Sequence, residues 1–97
     1  MKSVQEIKEI LQKHKKEIKE KYKVKKMGIF GSYVKGEQQE NSDLDILVEF
    51  ENSIGLLKFI ELENYLSEII GIKVDLVMKD ALKPRIGKHI LEEVINI

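Results

Sequence analysis

The chain has 97 residues, seventeen basic and seventeen acidic side chains, a formal net charge of zero and no cysteine. That length supports one two-layer domain over residues 1–97, and the missing thiols exclude a disulfide framework and a thiolate zinc site. No stretch has the apolar length of a signal peptide or a membrane span, so a soluble cytoplasmic protein is expected.

Ser3 followed by Glu6 fits a capping box, and Val4, Ile7, Leu11, His14, Ile18 and Tyr22 recur at spacings of three and four. One amphipathic helix is predicted over residues 3–22. Its other face is almost all Lys, Glu and Gln and reads as solvated. Residues 1–26 hold ten Lys against four Glu, whereas residues 27–97 hold seven basic against thirteen acidic side chains. The basic end is therefore the helix.

Residues 24–30 are short, β-rich and bounded by Gly31, which predicts the first strand. Gly31 and Ser32 turn the chain, and Ser32 to Lys35 can form one helical turn closed by Gly36. Such a turn would aim the N–H groups of Gly31, Ser32 and Tyr33 at one point suited to phosphate oxygens. An ordinary turn is the plainer reading of a Gly-Ser pair taken alone. Glu37 to Ser42 is a polar loop, and the second strand runs from Leu44 to Phe50. After a break at Asn52 to Gly55, apolar residues from Leu56 to Ile70 follow helical spacing up to Gly71, a residue suited to a left-handed helix end. Residues 72–78 alternate as a third strand with Ile72, Val74, Leu76 and Met78 on one side and Asp75 on the other. Asp80 is expected to cap the next turn, and residues 84–95 form a closing helix that starts at Pro84. The plan is α+β, a small mixed sheet of about three strands covered by helices in the order α-β-α-β-α-β-α.

The chain has only four Asp, at 43, 45, 75 and 80. Three of them stand in or at the head of strands, where Asp is normally depleted. Asp43 and Asp45 alternate onto one face, roughly 7 Å apart, while Leu44, Ile46, Val48 and Phe50 take the other. Asp75, read as lying in a central strand, needs a cation or strong hydrogen bonds to replace lost solvation. If the second and third strands are neighbours, the three carboxylates converge beside Gly31 and Ser32. Three acids can hold two Mg2+ ions about 4 Å apart, an arrangement for in-line displacement at phosphorus. Acids placed only to discourage edge pairing would need neither the upstream Gly-Ser pair nor a third Asp.

With those residues in hand, the sequence resembles the minimal nucleotidyltransferases of the DNA polymerase beta superfamily. The matching residues are Gly31, Ser32, a ten-residue spacer, Ser42, Asp43, Asp45, the segment Val74 to Val77, and the tail DALKPRIGKHILEEV. The resemblance implies a polymerase beta palm-like fold and a catalytic, metal-holding set of Asp43, Asp45 and Asp75. Asp75 would also help deprotonate the acceptor hydroxyl. It implies ATP as substrate, with Gly31 and Ser32 at the pyrophosphate end of the nucleotide. Many relatives carry Arg where this chain has Tyr33, so Lys35 or the sole arginine, Arg85, is the candidate for the missing positive charge. Members are commonly encoded beside a HEPN-domain ribonuclease toxin and act as its antitoxin, some by moving AMP from ATP to a toxin tyrosine.

Three functions compete on this reading. The first is AMP transfer to a partner HEPN toxin in a hetero-oligomer, and the second is an antitoxin that only masks the toxin. The third, nucleotide addition to RNA, is disfavoured by zero net charge and by the lack of interleaved aromatic and basic residues. Ile29, Phe30 and Tyr33 are candidates for a base pocket that sequence cannot separate from core.

Overall fold

The computed structural model describes residues 2–97. The predicted first helix is two helices, α1 (Val4–Lys13) and α2 (Lys15–Tyr22), with His14 ending one and starting the other. The capping box at Ser3 and Glu6 is formed. At the break, His14 Nδ1 lies 2.9 Å from the Ile10 carbonyl and its ring stands edge-on to Tyr65. Helix α1 packs against a neighbouring helix, and α2 lies against the first strand.

Strand β1 (Val24–Phe30) leads into the short helix α3 (Ser32–Lys35), and β2 (Leu44–Phe50) follows. Helix α4 (Leu56–Ile70) ends at Gly71, whose φ of 80° is the left-handed conformation expected there. Next come β3 (Val74–Met78), a single 3-10 turn at Lys79–Ala81 and α5 (Pro84–Glu93). The turn that Asp80 was expected to cap contains it instead, and Met78 is the capping position. The closing helix stops two residues short of its predicted end, and Ile95–Asn96 form a fourth strand, β4. Two residues are too few for an alternation pattern, so only pairing with β1 defines that strand.

The sheet order is β3-β2-β1-β4, with β2 parallel to β3 and β1 antiparallel to both its neighbours. Leu44, Ile46 and Val48 of β2 are buried with Ile7 and Leu11 of α1, Ile18 and Tyr22 of α2, and Leu62, Leu66 and Ile70 of α4. Helices α1, α2 and α4 therefore cover one face. Alternate residues of β2 reach the other face, where Leu47 lines a small cavity with Leu91 and Val94 of α5. Asp75 was expected in a central strand, but β3 is the edge of the sheet and Asp75 is exposed. The alternation of Ile72 to Met78 gives a face, not a place in the strand order.

The open edge of β3 is satisfied from α4. Ser67 Oγ accepts the Val74 N–H and Glu63 accepts the Leu76 N–H, each at 2.9 Å, while Asp75 between them pairs with β2. Ser67→Ala leaves the Val74 donor without its acceptor and is expected to cost about 1 kcal/mol, a fall of roughly 5 °C in Tm by calorimetry.

Candidate active site

Three separate causes bring the candidate residues to one end of the sheet. Parallel pairing of β2 and β3 sets Asp45 opposite Asp75. Antiparallel pairing of β1 and β2 sets Phe30, and so the start of the Gly31 turn, opposite the same Asp45. The loop ahead of β2 is closed by Ser42, whose Oγ accepts the Gln39 N–H at 2.8 Å, and this fixes the chain as it enters Asp43. Asp43 stands just ahead of the strand and is exposed, whereas Asp45 is half-buried.

Gly31 is held at φ 81°, ψ −150°, a region that only glycine enters readily. A Cβ there would lie against Asp45 Oδ2, far inside van der Waals contact. The turn and the acid are thus packed backbone to carboxylate. The Gly31 carbonyl accepts from Val34 at 3.1 Å and Lys35 at 3.2 Å, so the amides of Ser32 and Tyr33 remain as the turn's free donors. The Gly31 amide, expected to be the third, instead donates to Glu93 Oε1 at 3.2 Å. Glu93 Oε2 lies 3.6 Å from Lys35 Nζ.

Burial, the fields of Asp75 and Asp43, hydrogen bonding with Asp75, and Glu93 together push the Asp45 carboxyl up to about 6. A carboxyl raised by burial and by its acidic neighbours marks a site with a deficit of positive charge. Asp43, Asp45 and Asp75 offer only hard oxygen donors, which fit magnesium by chemistry and by charge. Among the described residues no three acidic, His or Cys side chains are gathered closely enough to hold a metal ion as they stand, so these acids would have to draw together around one. The acids form an open edge.

The other expectations divide. Lys35 is at the cluster, but Arg85 is exposed in the first turn of α5, eight residues and about 12 Å of helix from Glu93. Ile29 and Tyr33 are buried in the main core, whereas Phe30, also buried, lies outside that cluster and is paired opposite Asp45. Glu93 was not foreseen, although a signal existed: it follows Ile86 and Ile90 at spacings of four and three, a carboxylate on the apolar stripe of α5. A cavity of about 390 Å³ lined by Lys15, Lys19, Lys25 and Lys26 lies by the start of β1, at the strand's other end, and contains none of these residues.

A mixed sheet that sets paired strand carboxylates against a glycine turn defines a nucleotidyltransferase domain. The chain belongs to that family, matching it over residues 11–97, and is an enzyme of the nucleotidyltransferase class. It is 54% identical over its full length to protein adenylyltransferase MntA of Thermococcus cleftensis, covering 98% of that protein. Among solved structures, one provisionally described as a minimal nucleotidyltransferase matches with a TM-score of 0.77 at 30% identity, covering 94% of this chain and 95% of that one. A complex of a tri-AMPylated Shewanella oneidensis HEPN toxin with an MNT antitoxin shares the fold at a TM-score of 0.62 and 21% identity, over 90% of this chain and 70% of that one.

Proposed function

We propose that this chain is a magnesium-dependent protein adenylyltransferase that moves AMP from ATP to a hydroxyl, a tyrosine by preference, of a partner HEPN toxin and so acts as its antitoxin. The observation that carries the reading is Asp45, set against Asp75 on one side and the Gly31 turn on the other. The name of the Thermococcus relative and the AMPylated toxin in the Shewanella complex support the donor and the acceptor.

In this reading Asp43, Asp45 and Asp75 would hold magnesium, which neutralises charge on the phosphates as it develops. The Ser32 and Tyr33 amides, the Ser32 hydroxyl and Lys35 take the pyrophosphate end of the nucleotide. The acceptor oxygen bonds to the α-phosphorus, the bond to the β-phosphate oxygen breaks, and pyrophosphate leaves. Asp75, exposed at the sheet edge, accepts the proton lost from the hydroxyl.

The test is transfer of label from α-labelled ATP, with magnesium, to proteins of an extract containing the partner. One labelled protein band that disappears with Asp43→Ala is expected. Label on RNA, or none at all, would refute the proposal. A masking antitoxin is the second reading, favoured by Leu56 and Leu57 at the start of α4, which are 73% and 78% exposed and offer apolar contact area. Under masking, Asp43→Ala still protects against the toxin.

A further inference from the structure

Glu93 has no part in the scheme above, yet it holds Lys35, which the scheme uses, and the amide of Gly31, which opens the turn that supplies the scheme's other donors. Its side chain is 24% exposed, with one oxygen on the Gly31 amide and the other toward the Lys35 ammonium. An anion gripped by one backbone N–H and one cation is bound the way a phosphate oxygen pair is bound. It stays there although three aspartates already crowd the same end of the sheet. The backbone explains why: α5 runs straight into β4, whose Ile95 pairs with Ile29, and Ile97 N–H donates to the Met27 carbonyl at 3.0 Å. The approach is so close that a Cβ at Gly28 would stand 2.5 Å from Val94 Cγ2 and 3.0 Å from the Ile95 oxygen.

We propose that Glu93 is an internal stand-in for the nucleotide's phosphate, holding the Gly31 amide and Lys35 in the nucleotide-free chain and giving both up when a nucleoside triphosphate binds. The inference rests on the nucleotidyl-transfer reading and adds a competitor to it. A triphosphate entering beside an undisplaced Glu93 sets anion against anion, and Lys35 can neutralise only one of them at full strength. The Lys35 side chain, 52% exposed on a flexible stem, is free to change partner. Once the carboxylate leaves, the tie between the Gly31 turn and α5 is broken, and the tail is left with the two-residue strand β4 and the Ile97 N–H bond to Met27 on β1. Nucleotide occupancy thereby loosens Val94 to Ile97.

The sign of the effect separates this role from that of a structural brace. A brace lost weakens nucleotide binding, whereas a competitor lost strengthens it. The experiment is calorimetric titration of the full chain with the magnesium complex of a non-hydrolysable ATP analogue, comparing wild type, Glu93→Gln and Glu92→Gln. Glu93→Gln keeps an acceptor for the Gly31 amide and removes the charge. It is expected to bind about fivefold tighter, the scale of one half-exposed ion pair surrendered on binding. Glu92→Gln removes the same charge one residue away, on an exposed side chain, and is expected to stay within about twofold of wild type. Amide exchange of wild type gives a second reading that needs no variant: the analogue should speed exchange at Val94 to Ile97. Equal or weaker binding by Glu93→Gln, or tail exchange unchanged by the analogue, overturns the proposal. A wild type that transfers AMP while Glu93→Gln binds no tighter removes Glu93 alone. A wild type that binds no nucleotide removes the transfer reading and this inference with it.

Discussion

Asp45→Asn is expected to abolish AMP transfer and, in the same protein, to make the metal-free fold more stable at neutral pH. Loss of transfer follows from position, because Asp45 is the carboxylate set between Asp75 and the Gly31 turn. Charge stabilisation at a transferring phosphoryl group is worth several kcal/mol, so a fall of about a thousandfold or more in kcat is expected in single-turnover assays. The gain in stability follows from the raised carboxyl. Its value rises from 3.8 to about 6 in the folded chain, so the folded state binds this proton more tightly than the unfolded one. The Asp45 contribution is therefore fully present below 3.8, falls as pH rises through about 6, and is gone above that. Thermal unfolding from pH 4 to 8 in chelator should show the wild-type Tm dropping relative to Asp45→Asn across that window. Magnesium added above it should return the difference, since a ligand that binds only the folded chain stabilises it. Parallel pH profiles of the two proteins would show that Asp45 carries no such burden.

Gly31→Ala should fail for a different reason. The position combines φ 81°, ψ −150° with a Cβ driven into Asp45 Oδ2, so alanine is strained in its backbone and collides with the acid. Backbone strain alone is worth about 2 kcal/mol, which lowers Tm by roughly 10 °C in a domain of this size. Relief of the collision moves either the turn or the carboxylate, and transfer should fall at least about a hundredfold. The control is Gly36→Ala, where φ is 71° but a Cβ would meet nothing within 4 Å. That variant, in the milder left-handed αL region with ψ 21°, should lose less stability and keep most of the activity. If both variants lose activity equally, turn conformation rather than contact with Asp45 is what matters.

What could be read without coordinates was whatever a short window encodes. The strand Leu44–Phe50, the helix ending at Gly71, the Ser32–Lys35 turn and the strand aspartates each carry a periodic or chemical mark within a few residues. What could not be read depends on partners far apart in the chain. His14 breaks a continuous helical pattern for the sake of contacts with β1 and α4, and β4 exists only because Gly28 leaves room for it. Asp75 has the sequence surroundings of a core-strand residue but lies on an edge, since strand order is set by the parallel crossover and not by composition. Glu93, sixty-two residues from Gly31, belongs to the same group.

The second face of the sheet has a further consequence. Beyond α5, Asp75 is exposed, and Ile29 and Tyr33 are spent on the core of the opposite face. Under the proposed transfer reading, an enzyme so built would supply the nucleotide's reactive end and a proton acceptor but not the walls that orient an alcohol. Those walls must arrive with the acceptor. Free tyrosine or a short peptide should then be a poor substrate at any concentration, whereas a folded acceptor that docks brings its hydroxyl at high effective molarity. Under the same transfer reading, selectivity would be written on the surface of the protein being modified, and the catalyst could serve a new client without rebuilding its own site.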